Sequence, residues 1–294
     1  MSGPRPGPVT VPDIAKMKER GEKIVMLTAY DTPTARLLDS AGTDILLVGD
    51  SVGNVVLGYE NTLSVTMDEM VHHTQAVVRG TARALVVADM PYLSYHLGVR
   101  ESVRNAGRFV QQAGARAVKV EGGRKRARVI RALRGAEVPV MGHVGLTPQS
   151  VHDFGGFKVQ GRSAAAAREI LEDALAVEEA GAFSVVLEGI PSELAALITE
   201  RLAIPTLGIG AGPHCDGQVL VIHDLLGITP DPVPSFVRRY AEVGATIREA
   251  CERFAADVRG GGFPARDESY HLKPEVLDEI RAGLEASARL RWRS

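Results

Sequence analysis

The sequence has little cysteine, no long apolar run and no block of one charge. Its two cysteines, Cys215 and Cys251, lack the spacing of a metal-binding motif, and we expect both to be reduced. The N-terminal segment MSGPRPGPVT lacks the apolar core of a signal peptide, and no run is long enough to span a membrane. The formal net charge of −2 argues against nucleic acid or an anionic membrane surface as a partner. These absences predict a soluble, cytoplasmic protein with small-molecule partners.

Apolar runs that end in a carboxylate are what the sequence does contain. They are LLVGD at Asp50, LVVAD at Asp89, AVKVE at Glu121 and VVLE at Glu188. Runs of valine, leucine and isoleucine are typical of strands buried on both faces of a parallel sheet. A buried acid costs free energy unless it is paired or used, and the carboxyl ends of the strands form the active site of a (β/α)8 barrel. The pattern predicts a negative pocket whose charge a divalent cation would balance. Capping of the following helices is the alternative for any one acid, and it is weaker for all of them together.

The spacing of these runs also favours a barrel. About one βα unit separates Asp50 from Asp89 and Asp89 from Glu121, and the longer interval to Glu188 holds a further strand, VPVMGH, ending at His143. Strands are predicted at 24–29, 45–49, 84–88, 117–120, 138–142, 184–187, 205–209 and 218–222. Helices are predicted near 11–20, 33–41, 67–80, 99–113, 124–133, 163–180, 192–202, 234–258 and 274–290. The predicted fold class is α/β, a (β/α)8 TIM barrel over 11–263, with a flexible arm at 1–10 and a helical tail at 264–294.

Two of the acids, Asp50 and Asp89, end neighbouring strands and suit Mg2+. This ion prefers oxygen ligands and leaves coordination positions for water and substrate. The sequence has no His-Glu-x-x-His motif and no thiol cluster that would argue for zinc. The turn at 51–54, which begins with Ser51, is a candidate for binding a small anion through backbone N–H groups and a hydroxyl. An ordinary turn between strand and helix is the alternative.

A lysine and a histidine complete the set of candidates. Lys119 and Glu121 alternate along one strand, so their side chains face the same side of the sheet. A barrel lysine can form a Schiff base or bind a carboxylate; the predicted metal site favours the second role, and an ion pair with Glu121 is the structural alternative. His143 precedes a glycine-rich segment at 144–162 that is long enough to be an active-site loop. His143 is therefore either an accessory catalytic group or a satisfied core residue.

Several long segments together resemble the ketopantoate hydroxymethyltransferase family. In chain order they are MLTAYDTPTARLLDSAG, LLVGDSVGNVVLGYENTLSVTMDEM, VVADMPYLSY, AVKVEGG, GHVGLTPQSVHDFGGFKVQGR, VLEGIP, and GIGAG followed by CDGQVLVIHDLLG. The likeness covers 11–264, and the tail beyond it extends past the shared pattern. It implies a barrel of the phosphoenolpyruvate mutase/isocitrate lyase superfamily, in a large homo-oligomer that is typically a decamer.

The resemblance also implies an activity and a set of site residues. The activity is transfer of a hydroxymethyl group from 5,10-methylenetetrahydrofolate to 3-methyl-2-oxobutanoate, giving ketopantoate in pantothenate biosynthesis, with Mg2+ as cofactor. The implied metal ligands are Asp50, Asp89 and Glu121. The implied contacts to the oxo acid are Asp50, Ser51, Asp89 and Lys119. The implied catalytic proton acceptor is Glu188.

Two other functions compete with this one. The first is a Mg2+-dependent lyase or mutase of the same superfamily that acts on another 2-oxo acid, but the KKCGH motif expected of the lyases is absent. The second is an inactive barrel that only binds keto acids. Against it stands the presence of every acid and the lysine that the family pattern requires.

Overall fold

The chain forms a closed barrel of parallel strands, which confirms the α/β, (β/α)8 prediction. The computed structural model describes residues 7–156 and 158–291, with side chains omitted for 286–291. Each strand pairs with the next along the chain, and the last pairs with the first. The strands are β1 Ile24–Thr28, β2 Ile45–Val48, β3 Leu85–Asp89, β4 Ala117–Glu121, β5 Val140–Gly145, β6 Ser184–Glu188, β7 Thr206–Ile209 and β8 Gly217–Leu220.

Helices alternate with these strands. They are α1 Val11–Glu19, α2 Thr32–Ser40, α3 Val52–Val55, α4 Met67–Gly80, α5 Val99–Arg108, α6 Ala127–Gly135, α7 Val151–Phe154, α8 Ala164–Glu179, α9 Ser192–Arg201, α10 Ile222–Leu225, α11 Val243–Gly260 and α12 Pro274–Arg291. Short 3-10 turns occur at Thr62–Ser64, Arg124–Arg126, Pro148–Ser150 and Arg266–Glu268, and a π turn at Phe109–Ala113 extends α5.

One predicted helix, at 234–258, begins too early. The structure starts it at Val243. The preceding residues are held in an irregular path, because the N–H of Tyr240 donates to the carbonyl of Leu225 and that of Val237 to Pro234. Proline at 232 and 234 also removes two backbone donors that a helix would use.

The interior of the barrel is a packed apolar core that ends at a polar layer. Alternate strand residues point inward, and the inward set contains Ile24, Met26, Ile45, Leu47, Leu85, Val87, Ala117, Met141, Val186, Leu207 and Val219. Ile14 and Met17 of α1 belong to the same cluster and close the amino-terminal end of the barrel. A second cluster lies between the strands and the surrounding helices. Because the apolar layers fill the lower barrel, a ligand has room only at the carboxyl ends.

The strand register brings the predicted acids to that end together. Asp89 is paired with Lys119, and Glu121 with His143. The first pair lies one inward position beyond the apolar pair Val87 and Ala117, and the second lies one inward position beyond Lys119 and Met141. The polar layer is therefore a direct consequence of strand alternation.

Two compact units make up the chain, Met1–Ala241 and Glu242–Ser294. The first contains the barrel, and in it Val9 is buried and donates its N–H to the carbonyl of Arg83. The second contains α11 and α12; α11 has no buried residue. Residues 1–6 of the predicted arm and 292–294 of the predicted tail lie outside the described residues, and the predicted domain limits stay a prediction. In the part of the chain that the structure describes, no helix combines the length and apolar character needed to cross a bilayer.

Candidate active site

A small cavity at the carboxyl end of the barrel brings all the predicted site residues together. Its volume is about 100 Å3. The charged and polar residues that line it are Asp50, Ser51, Asp89, Lys119, Glu121, His143 and Glu188. They come from β2 to β6 or the turns that follow, whereas apolar residues of β7 and β8, such as Ile209 and Val219, form the remaining wall. The cavity is thus acidic on one side and apolar on the other.

Asp50 and Asp89 form the most deeply buried carboxylate pair of this cavity. Each is less than 5% exposed, and the N–H of Asp50 donates to Oδ2 of Asp89 at 3.1 Å. Burial raises the pKa of Asp50 well above its ordinary value, and the negative charges of Asp89 and Glu121 raise it further. Burial also raises the pKa of Asp89 despite the attraction of Lys119. Two carboxylates that resist ionisation next to each other are suited to sharing a cation.

Lys119 supplies a buried positive charge beside these acids. Its Nζ lies 3.0 Å from Oδ1 of Asp89 and 3.1 Å from Nδ1 of His143. Burial lowers the pKa of Lys119, but the attraction of Asp89, Glu121 and Asp50 outweighs it and raises the pKa above its ordinary value. The lysine is therefore charged, and its ion-pair partner is Asp89, not the Glu121 considered as the structural alternative.

His143 links the acids on both sides of the cavity. Its Nε2 lies 3.1 Å from Oε2 of Glu188, and its Nδ1 lies 3.5 Å from Oε1 of Glu121. Burial and Lys119 lower the pKa of His143, but Glu121 and Glu188 outweigh them and raise it to about 9. Glu188 is the more accessible of the two acids, with a side chain 17% exposed against 4% for Glu121. Glu188 can therefore exchange a proton with a ligand in the cavity while His143 orients it.

The turn after β2 contributes a hydroxyl but not the predicted backbone donors. Oγ of Ser51 lies 2.8 Å from the hydroxyl of Tyr30 and lines the cavity. The N–H groups of Val52, Gly53 and Asn54 donate to the carbonyls three residues earlier, because these residues begin the short helix α3. These three N–H groups are therefore used within the helix, whereas the Ser51 hydroxyl lines the cavity, and its contact with a substrate stays a prediction.

Gln149 is a site residue that the sequence did not single out. Its Nε2 donates to Oδ2 of Asp50 at 2.8 Å and to the carbonyl of Met90 at 3.0 Å. Its Oε1 accepts from the hydroxyl of Tyr95 at 2.6 Å, and its backbone N–H donates to Oε2 of Glu121 at 3.0 Å. The loop at 144–162 was recognised as a candidate, but which of its residues reaches the acids depends on how the loop folds back over the barrel.

The donor set suits a hard divalent cation. Oδ1 of Asp89 and Oε1 of Glu121 are buried and complete no hydrogen bond of regular geometry, although Lys119 and His143 lie close to them. Among the described residues, no three Asp, Glu, His or Cys side chains converge as a ready-made ligand set. An ion held here would take further oxygen ligands from water and substrate, as Mg2+ commonly does. The roles of Asp50, Asp89 and Glu121 as metal ligands stay predictions.

Two solved structures illustrate proteins that share this architecture. A 2,3-dimethylmalate lyase, described as a member of the PEP mutase/isocitrate lyase superfamily, superposes with a TM-score of 0.59 at 19% identity and covers 98% of this chain and 99% of its own. A phosphonopyruvate hydrolase, solved with oxalate and Mg2+, superposes with a TM-score of 0.57 at 14% identity and covers 97% of this chain and 99% of its own. These likenesses show the fold.

Sequence relatives identify the family. Residues 8–266 match the family described as ketopantoate hydroxymethyltransferase. The 3-methyl-2-oxobutanoate hydroxymethyltransferase of Syntrophomonas wolfei is 55% identical over 272 residues, which is 92% of this chain and 99% of the relative. The enzyme of the same name from Pelobacter propionicus is 58% identical over 263 residues, 90% of this chain and 97% of the relative. This chain therefore belongs to the ketopantoate hydroxymethyltransferase family.

Proposed function

We propose that the chain transfers the one-carbon unit of 5,10-methylenetetrahydrofolate to C3 of 3-methyl-2-oxobutanoate and forms 2-dehydropantoate (ketopantoate), a step of pantothenate biosynthesis. The observation that carries this proposal is the cavity itself. It holds a buried lysine and three buried acids, Asp50, Asp89 and Glu121, together with a more accessible acid, Glu188. The names of the sequence relatives support the same reaction.

The cavity suits a small oxo acid. Its volume of about 100 Å3 lies below the range of about 300–1,000 Å3 that is common for drug-sized ligands, so it suits an acyclic ligand of a few carbon atoms. The ammonium of Lys119 would pair with the carboxylate of the substrate, and the hydroxyl of Ser51 would donate to a substrate oxygen. The apolar wall at Ile209 and Val219 would face the branched methyl groups.

Glu188 would act as the general base. It lies at the end of β6, across the barrel from β2 and β3, and therefore faces the substrate from the side opposite to the acid pair. Its carboxylate would take the C3 proton, and the electron pair of the broken C–H bond would pass into the oxo acid as an enolate. One of the two C–N bonds of the methylene bridge would break, with its nitrogen taking a proton, and the enolate carbon would form the new C–C bond with that methylene carbon. Water would then cleave the second C–N bond, so that its hydroxyl goes to the methylene carbon and its proton to the nitrogen of the released tetrahydrofolate.

A divalent cation, for which we propose Mg2+, would be held by Asp50 and Asp89, with Glu121 as a further ligand directly or through water. When bound, it would polarise the oxo group and make the C3 hydrogen more acidic. The buried carboxylate oxygens of Asp89 and Glu121 that complete no regular hydrogen bond support the assignment. Mg2+ in the structurally similar phosphonopyruvate hydrolase is consistent with it.

Proton exchange at C3 tests the function without the folate. Deuterium from D2O is expected to enter C3 of 3-methyl-2-oxobutanoate when enzyme and Mg2+ are present, and chelation of the metal is expected to stop it. Glu188→Gln keeps the size and the contact to His143 but removes the base, so exchange should fall about 10²–10⁴-fold. Glu193→Gln, an exposed change in the first turn of α9, is the matched control. Wild-type exchange in Glu188→Gln would make His143 the next candidate for the base.

We also propose that the chain works as a homo-oligomer, as the family resemblance implies. The second unit supports this, because Ile247, Phe254 and Val258 of α11 recur at helical spacing and are each 47–55% exposed. Copies of the same chain would cover this apolar face. Analytical ultracentrifugation at micromolar concentration would contradict the proposal if it showed a monomer. The cytoplasmic location and the absence of a nucleic-acid partner stay predictions.

A further inference from the structure

A second, larger pocket lies beside the small cavity. Its volume is about 530 Å3. One wall is a single face of α8, formed by Ala166, Glu169, Ile170 and Asp173 at the spacing of successive helical turns. The segment at 122–126 that follows β4 packs against this helix through Arg124, whose Nε donates to Asp173. Tyr95 and His96 after β3, and the loop at 144–154, line much of the rest. The pocket is therefore formed by elements that follow β3, β4 and β5.

The two spaces share a wall of functional side chains. Glu121 lines both of them. Gln149 lines the larger pocket, while its Nε2 reaches Asp50 in the smaller one. Gly145, which also lines the larger pocket, is the strand partner of Glu188. A ligand in the larger pocket would thus lie next to the acids of the small cavity.

Size divides the two reactants between these spaces. The small cavity holds an oxo acid but has no room for a second substrate. Pockets for ligands of several rings commonly measure about 300–1,000 Å3, and the larger pocket, at about 530 Å3, lies within that range. A transfer between two substrates requires their reacting carbons to be within contact distance, which adjoining compartments allow.

We propose that the larger pocket binds the one-carbon donor, a reduced pterin with an acidic tail, and that Glu121 and Gln149 form the partition across which its methylene carbon meets the oxo acid. The inference rests on the proposed function and adds to it the location of the second substrate.

The chemistry of the lining suits such a ligand. Phe154, which is partly exposed, supplies aromatic surface against which a flat ring can pack. Asp153, which makes no hydrogen bond or ion pair with other described residues, can accept the ring N–H groups. At the rim, Arg126 lies over the Tyr95 ring at 5.5 Å, and across the described chain neither it nor Lys125 has a carboxylate within ion-pair distance. These cations are available to the acidic tail.

Another pocket of about 640 Å3 competes for the donor. It adjoins the small cavity through Ile209 and Val219, which are apolar. It extends to Lys23 and Ile24 at the amino-terminal start of β1, away from the end where the acids lie. None of the acids of the small cavity lines it. A donor bound there would therefore meet the apolar wall of the small cavity and not its acids.

A bulky residue on the α8 wall tests the proposal. Ala166→Trp would fill the larger pocket without contact to the small cavity, whereas Ala165→Trp puts the same side chain on an exposed position of the same helix that does not line the pocket. Binding of tetrahydrofolate is measured by calorimetry, and deuterium exchange at C3 with Mg2+ is measured without folate. We expect Ala166→Trp to weaken tetrahydrofolate binding about tenfold or more and to keep exchange within about twofold of wild type, with Ala165→Trp unchanged in both.

The outcomes separate this inference from the proposed function. Wild-type affinity for tetrahydrofolate in Ala166→Trp, or equal weakening in Ala165→Trp, would overturn the pocket assignment while exchange still supports the function. Absence of exchange and of tetrahydrofolate binding in the wild type would instead refute the function. If Ala166→Trp does not fold, hydrogen–deuterium exchange of the backbone amides of the wild-type protein decides. Tetrahydrofolate should slow amide exchange in 144–156 and α8. Slowing confined to Lys23–Val25 and 210–218 would assign the donor to the competing pocket.

Discussion

Removal of the Gln149 side chain should loosen the active-site loop and weaken the metal site together. Gln149→Ala deletes the hydrogen bonds to Asp50, to the carbonyl of Met90 and from Tyr95, but keeps the backbone bond to Glu121. The two neutral bonds are worth about 0.5–1.5 kcal/mol each and the bond to the carboxylate about 1.5–3 kcal/mol. Their sum is about 2.5–6 kcal/mol, and water entering the truncated space would recover part of it. We expect a net loss of about 2–4 kcal/mol in the free energy of unfolding.

The same change should alter the affinity for Mg2+. The hydrogen bond from Gln149 lowers the pKa of Asp50 against the effects of burial and of the neighbouring acids. Without it, the carboxylate protonates more readily, so protons compete better with the cation. Mg2+ binding by calorimetry should therefore weaken in Gln149→Ala, and more at pH 6.5 than at pH 8.

Urea denaturation at fixed protein concentration measures the free energy of unfolding of wild type and Gln149→Ala. Gln218→Ala is the matched control, since this glutamine is exposed and its side chain donates one hydrogen bond, to the carbonyl of Gly212. It should change the free energy of unfolding by less than about 0.5 kcal/mol. A Gln149→Ala protein that unfolds at the wild-type urea concentration and binds Mg2+ with wild-type affinity at both pH values would refute the reasoning.

Three further predictions follow from other parts of the structure. Lys119→Met should lower the free energy of unfolding, measured with denaturant, by about 3–5 kcal/mol, because it leaves Asp89 as an uncompensated buried charge. Borohydride should trap no covalent adduct at Lys119 when the wild-type enzyme is mixed with substrate. Gly142→Ala should lower the free energy of unfolding by about 1–3 kcal/mol, because a Cβ there would lie 2.3 Å from Cγ1 of Val177 on α8. The control Gly135→Ala should not destabilise, because no atom lies within 4 Å of its new Cβ, and equal unfolding midpoints for the two variants would contradict the packing argument. Partial burial lowers the pKa of His96 to about 4, with a contribution from Arg126, so the folded state binds this proton less readily than the unfolded state and stability should fall from pH 6.5 towards pH 4. In His96→Asn the urea midpoint should change less over this pH range, and a change as large as that of the wild type would contradict this prediction.

The sequence by itself determined the barrel and the identity of the acids. Runs such as LVVAD and AVKVE can be buried on both faces only in a parallel sheet, and their spacing leaves room for one helix between strands. Strand alternation then fixes that Lys119 and Glu121 face one side. The acids that end β3, β4 and β6 are therefore expected at the same end of the barrel.

The tertiary structure decided how those groups are paired. Lys119 contacts Asp89 rather than Glu121, because the parallel register places Asp89 beside it, and register is not written in the spacing of one strand. Gln149 joins the site because a loop far along the chain folds over the barrel mouth. The helical turn after Asp50 uses the backbone donors that the sequence suggested for an anion. Pairings of this kind depend on contacts between distant segments, which local propensity does not encode.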